Sequence, residues 1–201
     1  MMDVAELNSW FDWSHTLLPY PAHLALWQIP ENLADFLREL FWHLPEEYRA
    51  VAPDVWVGQG VRIADSVHID GPCLIDHGAT LRPHAYVRGG VLIGKNAIVG
   101  HATELKNALL FDEAKAPHFN YVGDSILGYR AHIGAGVICS NVRLDHRTVR
   151  LCLPDGTALQ TGLTKLGALV ADRAEVGCNR VLNPGTVLAP GSILLPYAER
   201  R

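Results

Sequence analysis

The most restrictive feature of the sequence is a buried-type residue that returns at every sixth position. The series continues without a gap through ten successive repeats of six residues: Val57, Ile63, Ile69, Ile75, Leu81, Val87, Ile93, Val99, Leu105 and Phe111. A period of six matches neither the helical period of 3.6 nor the strand period of 2, but it is typical of β-helix repeats. We therefore predict an all-β fold, a parallel β-helix in which three repeats form one triangular coil of about 18 residues. Because the interior of such a prism is packed, its ligands must bind on the outside.

The repeat is interrupted twice. Its register is lost between Phe111 and Leu127, and again between Asn141 and Leu166. Interruptions of a strict repeat are expected to be loops, and such loops often carry function. In the second interruption, alternating residues 149–153 and 157–161 flank a Pro-Asp-Gly turn. This pattern predicts an inserted β-hairpin, within about residues 143–165, that projects from the prism.

Residues 1–50 lack the repeat and contain four of the five tryptophans. Apolar residues in this part follow the spacing of an amphipathic helix: Leu33, Phe36, Leu37, Leu40 and Phe41. The spacing predicts a helix from about Glu31 to Trp42, which we expect to cover the open end of the first coil or an adjoining subunit. The chain is therefore divided into an N-terminal helical segment (1–50), a β-helix domain (51–196) and a short tail (197–201).

Composition excludes several classes of function. The net charge is -4 and the basic residues are scattered singly, which argues against a nucleic-acid partner. No apolar run approaches the ~20 residues that span a bilayer, and the N-terminus lacks the pattern of a secretory signal. We expect a cytoplasmic protein that does not bind membranes. The four cysteines form no CxxC pair, which predicts reduced thiols and not a disulfide framework.

Residues capable of chemistry are concentrated around the two interruptions. The segments are LRP (81–83), ELK (104–106), KAPHFNYVGD (115–124), IGAGVICSN (133–141) and TKLGA (164–168). In order and spacing they resemble the left-handed β-helix acetyltransferase domain of the bifunctional N-acetylglucosamine-1-phosphate uridyltransferase/glucosamine-1-phosphate acetyltransferase family. The hairpin followed by KLGA is more similar still to archaeal-type sugar-1-phosphate nucleotidyltransferase/acetyltransferases. The resemblance covers about residues 25–196.

The resemblance implies a left-handed β-helix enzyme that transfers an acetyl group from acetyl-CoA, its co-substrate, to an amino-sugar 1-phosphate such as glucosamine 1-phosphate. It places the general base at His118. An amino sugar attacks the thioester only as the free amine, and an imidazole can accept the proton at neutral pH. Glu104 is a candidate for orienting His118, the alternative being a solvated surface carboxylate. Acyl transfer itself requires no metal.

The resemblance also assigns binding residues. Those expected to contact the substrate are Arg82, Lys106, Tyr121, Asn141 and His132, with the first two binding its phosphate. Those expected to contact the cofactor are Ala135, Cys178, Arg147 and Lys165. A backbone N–H group of residues 134–136 can stabilise the oxyanion, although these residues can equally be an ordinary coil corner. The chain departs from the family pattern in three ways: His132 replaces an Asn, Arg147 and Arg150 replace lysines, and Cys178 replaces a serine.

Residues 1–50 contain no glycine, so the Gly-rich loop that opens the family's uridyltransferase domain is missing from this sequence. The resemblance further implies a homotrimer, because relatives build each active site between neighbouring prisms. Two alternatives stay open at this point. One is a non-catalytic trimeric module that partners a separate sugar nucleotidyltransferase. The other is a zinc protein like the γ-class carbonic anhydrases, although the HxxxxH pair of that class is absent.

Overall fold

Three faces of parallel strands form the walls of a triangular prism, in the computed structural model of the protein, which describes residues 4–197. Face 1 consists of Val55–Val57, Cys73–Ile75, Val91–Ile93, the C-terminal halves of Glu104–Leu110 and Tyr121–Leu127, Ala168–Val170 and Thr186–Leu188. Face 2 consists of Arg62–Ile63, Thr80–Leu81, Ile98–His101, Lys115–His118, His132–Ile133, Glu175–Val176 and Ile193–Leu194. Face 3 consists of His68–Ile69, Tyr86–Val87, the N-terminal halves of Glu104–Leu110 and Tyr121–Leu127, Ile138–Cys139 and Val181–Leu182. The predicted parallel β-helix is confirmed.

The first interruption of the repeat is not a loop. Early coils pair residues 18 apart, as Val57 with Ile75, whereas Ile93 pairs with Leu110 and Leu110 with Leu127, each 17 apart. One residue is missing from each of these coils, and the strands Lys115–His118 and Tyr121–Leu127 continue the walls without a gap. Phe111, predicted to be the tenth interior residue, consequently lies outside the prism and contacts Phe11 and Trp13.

The N-terminal segment covers a wall of the prism and not its end. It comprises a helix at Val4–Asn8, single 3-10 turns at Trp13–His15 and Leu26–Gln28, and a helix at Ile29–Phe41. The last of these is the predicted helix, displaced by one or two residues. Its buried Leu33 and Leu37 belong to the same apolar cluster as Leu92 and Leu109, which point outward from face 1. The expectation that this helix covers the open end of the first coil is therefore wrong.

Two antiparallel additions extend the sheet of face 1. Strand Arg49–Ala52 pairs with Val55–Val57 at one edge. At the other, the predicted hairpin is confirmed as Arg150–Cys152 paired with Ala158–Gln160. This hairpin does not project from the prism as predicted. Its residue Cys152 pairs with Thr186 of face 1, and its Leu151 side chain is fully buried.

Face 1 is thus enclosed on both sides, by the prism interior and by the N-terminal segment with the hairpin. This explains why strands such as Cys73–Ile75 and Val91–Ile93 are apolar throughout, since a parallel strand covered on both sides has no solvent face. Faces 2 and 3, and the corners next to face 3, keep their outer surfaces exposed. Within residues 4–197, none of the helices has the length and apolar character that crossing a bilayer requires.

Candidate functional site

The chain turns from face 2 to face 3 at a corner that we call the histidine corner. On successive coils it is formed by Pro83–His84, His101–Ala102, His118–Phe119, Ala135–Gly136 and Cys178–Asn179. Backbone hydrogen bonds keep these coils in register, from the Phe119 N–H to the His101 carbonyl at 2.8 Å and from the Gly136 N–H to the His118 carbonyl at 3.0 Å. The predicted base His118 and the predicted cofactor residues Ala135 and Cys178 therefore lie in one column.

The second residue of each of these turns has a left-handed backbone. Glycine and asparagine adopt this conformation readily, but Phe119 adopts it too, with φ of 51°. The same conformation recurs at other corners of the prism, for example at Glu113, Arg130 and Arg173, so it belongs to the turn of the coil. Phe119 directly follows His118, and its ring lies edge-on to the ring of His101 with centroids 5.0 Å apart.

The His118 side chain is exposed, and its imidazole has no hydrogen-bond partner within the part of the chain that the structure describes. Its backbone N–H donates to the Asn120 side-chain oxygen at 3.0 Å, and the buried Asn120 amide in turn donates to the Gly134 carbonyl at 2.7 Å. Asn120 thus fixes the backbone on which His118 is carried. Glu104, predicted to orient His118, accepts a hydrogen bond from Arg88 at 2.9 Å instead. Its orienting role stays a prediction.

A second group of polar residues lies at the corner between face 3 and face 1, and we call it the Asp124 cluster. It contains Asp124, Lys106, Asn107, Tyr121 and Asn141. One carboxylate oxygen of Asp124 accepts a hydrogen bond from the Asn107 amide at 2.8 Å and faces Lys106 Nζ at 3.4 Å. The other oxygen accepts from the Asn141 amide, which also lies 3.3 Å from the Tyr121 hydroxyl. Three predicted substrate residues, Lys106, Tyr121 and Asn141, therefore come together.

We did not predict two residues of this cluster, Asn107 and the central carboxylate Asp124. Asp124 ends the quoted segment YVGD, and the Gly-Asp pair at a turn was the only available signal. Gly123 beside it allows the Tyr121 ring to approach, since a Cβ atom at Gly123 would lie 2.5 Å from the Tyr121 hydroxyl oxygen. Burial, and then the negative charge of Asp124, raise the pKa of Tyr121 above its ordinary value. The phenol therefore stays protonated and can donate a hydrogen bond to a ligand.

Other predicted residues are placed elsewhere. Arg82 follows a strand of face 2 and Lys106 follows the face 3 part of its strand, so the two proposed phosphate ligands lie at opposite edges of face 3 within one chain. His132 lies on face 2 between Lys115 and Glu175, away from the Asp124 cluster. Lys165 is exposed and pairs with Val142 at the base of the insertion.

Arg147 lines a basic groove on the inserted segment. The groove has a volume of about 460 Å³ and is formed by Arg143, His146, Arg147, Thr148, Arg150 and Thr164. The guanidinium of Arg143 forms two hydrogen bonds with Asp145 and lowers the pKa of that carboxyl well below its ordinary value. Asp145 is thus ionised and forms an ion pair with Arg143. Neither Arg147 nor Arg150 forms an ion pair within the described chain.

Among residues 4–197, no three His, Cys, Asp or Glu side chains are grouped so that they could hold a metal ion. The rings of His84 and His101 lie 5.5 Å apart, but they do not form such a group. All four cysteines are free thiols, two buried (Cys73 and Cys139) and two exposed (Cys152 and Cys178).

Comparison with known proteins shows the family to which the chain belongs. Residues 69–194 match the family described as the GMPPB C-terminal domain, and the chain belongs to this family. It is 33% identical over 145 residues to the uncharacterized acetyltransferase YaiX of Escherichia coli strain 536, an alignment that covers 72% of this chain and 63% of that protein. It is 32% identical over 151 residues to the bifunctional protein GlmU of Methanococcus maripaludis strain S2, covering 66% of this chain and 36% of GlmU.

A solved structure of a hexapeptide transferase family protein from Anaplasma phagocytophilum aligns with a TM-score of 0.48 and 17% identity, over 72% of this chain and 76% of that one. The chain is also 28% identical to a bifunctional sugar-1-phosphate nucleotidylyltransferase/acetyltransferase of Sulfurisphaera tokodaii, over 68% of this chain and 38% of the relative. The predicted relationship to these acetyltransferases is confirmed. The chain spans less than two thirds of the length of the curated relatives described here.

Proposed function

We infer that the protein is an acetyl-CoA-dependent N-acetyltransferase that acts on an amino-sugar 1-phosphate, with His118 as general base. The observation that carries this proposal is the column at the histidine corner, where His118, Ala135 and Cys178 follow one another on successive coils. Coils are about 4.8 Å apart, so the column offers a straight track along which an extended pantetheine arm can lie. A thioester bound along this track is brought close to the imidazole of His118.

For this reaction the remaining residues need only position the two substrates and supply charge. The amine attacks the thioester carbonyl, a C–N bond forms and the C–S bond breaks, and His118 carries a proton from the nitrogen to the leaving thiolate. An exposed imidazole without a hydrogen-bond partner inside the described chain is free to accept that proton. The backbone N–H groups of residues 134–136 are the candidates for stabilising the oxyanion.

We assign recognition of the amino-sugar phosphate to the groups that border face 3. The Asp124 cluster presents the Tyr121 hydroxyl and the Asn141 amide as hydrogen-bonding groups, and Lys106 as a cation. Arg82 lies at the opposite edge of the same face, so one chain does not bring Arg82 and Lys106 to a single phosphate. This separation supports a homotrimer in which neighbouring prisms contribute different residues to one site. We assign Arg147 and Lys165, with the basic groove, to the phosphates of CoA.

The direct test measures CoA release from acetyl-CoA with a panel of amino-sugar 1-phosphates, glucosamine 1-phosphate among them. We expect turnover with at least one acceptor, and a loss of about 10²–10⁴-fold in kcat for His118→Ala. His43→Ala, an exposed histidine on the N-terminal segment, is the matched control and should retain full activity. No turnover across the panel and no CoA binding would instead favour the non-catalytic module. Sedimentation velocity tests the trimer separately.

A further inference from the structure

We propose that His101 is a second proton acceptor of the acetyl transfer site and works beside His118; this inference rests on the proposed function. The two histidines are direct partners in the parallel ladder of face 2. Their Cα atoms are therefore about 4.8 Å apart on neighbouring coils of the histidine corner. A ligand that reaches the imidazole of one lies within reach of the other.

The tautomer of His101 is fixed by the fold. Its Nδ1 lies 2.9 Å from the carbonyl oxygen of Pro83. A carbonyl oxygen can only accept a hydrogen bond, so the proton must be on Nδ1, and the lone pair of the neutral ring is on Nε2. Such a backbone hydrogen bond is the usual device by which a protein orients an imidazole that must bind or accept through its other nitrogen.

The ring of His101 is also held in place by its neighbours. Phe119 contacts it edge-on from the following coil, at 5.0 Å between centroids, and His84 from the preceding coil, at 5.5 Å. The titratable groups next to His101 among residues 4–197 are His84 and His118. The nearest carboxylate along the same coil, Glu104, accepts a hydrogen bond from Arg88. No carboxylate is therefore paired with this imidazole.

The proposed reaction supplies a proton for each histidine. An amino sugar is largely an ammonium ion at neutral pH, because amines of this kind have pKa values of about 8. Its nitrogen loses one proton before it attacks the thioester and a second after the C–N bond has formed. The second is carried by His118 to the CoA thiolate that leaves, which gives CoA-SH. The first must leave the site, and we assign its acceptance to His101 Nε2, from which it passes to solvent.

The test is the pH dependence of His101→Asn. Asparagine keeps an amide donor for the Pro83 carbonyl but has no basic nitrogen, so the variant preserves the structural contact and removes the base. We expect kcat/KM to fall about 30-fold at about pH 6.5, where only about 3% of an amine with a pKa of about 8 is deprotonated, and to recover to within about threefold of wild type at about pH 9, where the amine is already deprotonated. His43→Asn is the matched control and should follow the wild-type profile.

A loss that is the same at every pH, or no loss at all, would overturn the role of His101 while leaving the proposed function standing. Wild-type protein that acetylates no acceptor would overturn both. A measurement without turnover completes the test: ¹⁵N chemical shifts of the His101 ring should report the Nδ1–H tautomer at high pH. Observation of the Nε2–H tautomer would contradict the geometry on which the inference depends.

Discussion

Asp124 offers the sharpest test of how the corner between faces 3 and 1 is held. The substitution Asp124→Asn keeps the volume of the side chain and tolerates the left-handed backbone at this position, where φ is 47°. It removes the charge and replaces one accepting oxygen by an NH₂ group. Because both oxygens accept from amide donors, of Asn107 and Asn141, one of these contacts becomes donor against donor.

The magnitude follows from these contacts. A hydrogen bond to a buried charged group contributes about 1.5–3 kcal/mol, and the Asp124 side chain is only 5% exposed. The ion pair with Lys106 adds less than about 1 kcal/mol, since that side chain is 24% exposed and the pair is 3.4 Å long. We expect Asp124→Asn to lower the free energy of unfolding by about 2–4 kcal/mol.

The assay is urea unfolding followed by circular dichroism, at a fixed protomer concentration so that assembly contributes equally to each variant. Asp65→Asn, at an exposed turn on another corner, is the control and should change the stability by less than about 0.5 kcal/mol. A double-mutant cycle with Lys106→Met isolates the ion pair. Unfolding of Asp124→Asn at the wild-type urea concentration would refute the view that this carboxylate organises the cluster.

Three further predictions concern the core, the thiols and Glu104. Leu109→Ala should destabilise by about 2–5 kcal/mol in urea unfolding, because Leu109 is fully buried beneath the N-terminal segment, while Leu144→Ala, at a side chain 98% exposed, should have little effect. Burial raises the pKa of Cys139 to about 12 from 9.0, and it also raises that of Cys73, so only Cys152 and Cys178 should react with a thiol reagent in the native protein. The unfolded chain loses the Cys139 thiol proton near pH 9.0, whereas the native chain loses it only at about pH 12. The free energy of unfolding should therefore fall as pH rises through this window, and less steeply for Cys139→Ala; an equal fall in both proteins would contradict this origin. Glu104→Gln should reduce kcat at least tenfold if Glu104 orients His118, but should leave kcat unchanged if it serves only to hold Arg88.

The sequence predicted the prism well because the hexad reports directly which residues face the interior. It did not locate the change from 18-residue to 17-residue coils. Leu109, Leu110 and Phe111 are consecutive apolar residues, so a shift of one position leaves the pattern of hydrophobicity unaltered. Only strand pairing shows that Leu110, and not Phe111, faces the interior. Because of this shift, the repeat pattern predicted a loop between Phe111 and Leu127, where the structure has continuous walls.

For a similar reason, the sequence did not reveal how the candidate site residues are arranged in space. His118 and Ala135 lie in the motifs that carry the family resemblance, and Cys178 was assigned through that resemblance, but their common column depends on the coil lengths between them, including the inserted hairpin. Asp124 was missed because its function is to hold other residues, and its partner Asn107 belongs to the preceding coil. The position of the N-terminal helix could not be read from its amphipathic pattern, since an apolar stripe shows that a partner exists and not which surface it is.

The N-terminal segment also changes how the prism resists unfolding. In a solenoid each coil contacts only its neighbours, so coils can be lost one at a time from either end. Here one continuous stretch of chain is anchored to coils far apart along the prism: Tyr48 donates to Asp76 at 2.5 Å, the Asp112 N–H donates to the His15 carbonyl at 2.9 Å, and the Asp12 N–H donates to Asp172 at 2.8 Å. Loss of a late coil therefore also releases chain that covers an early one. Fraying becomes cooperative, and amide protons along the length of face 1 should exchange with solvent together, in a single global event.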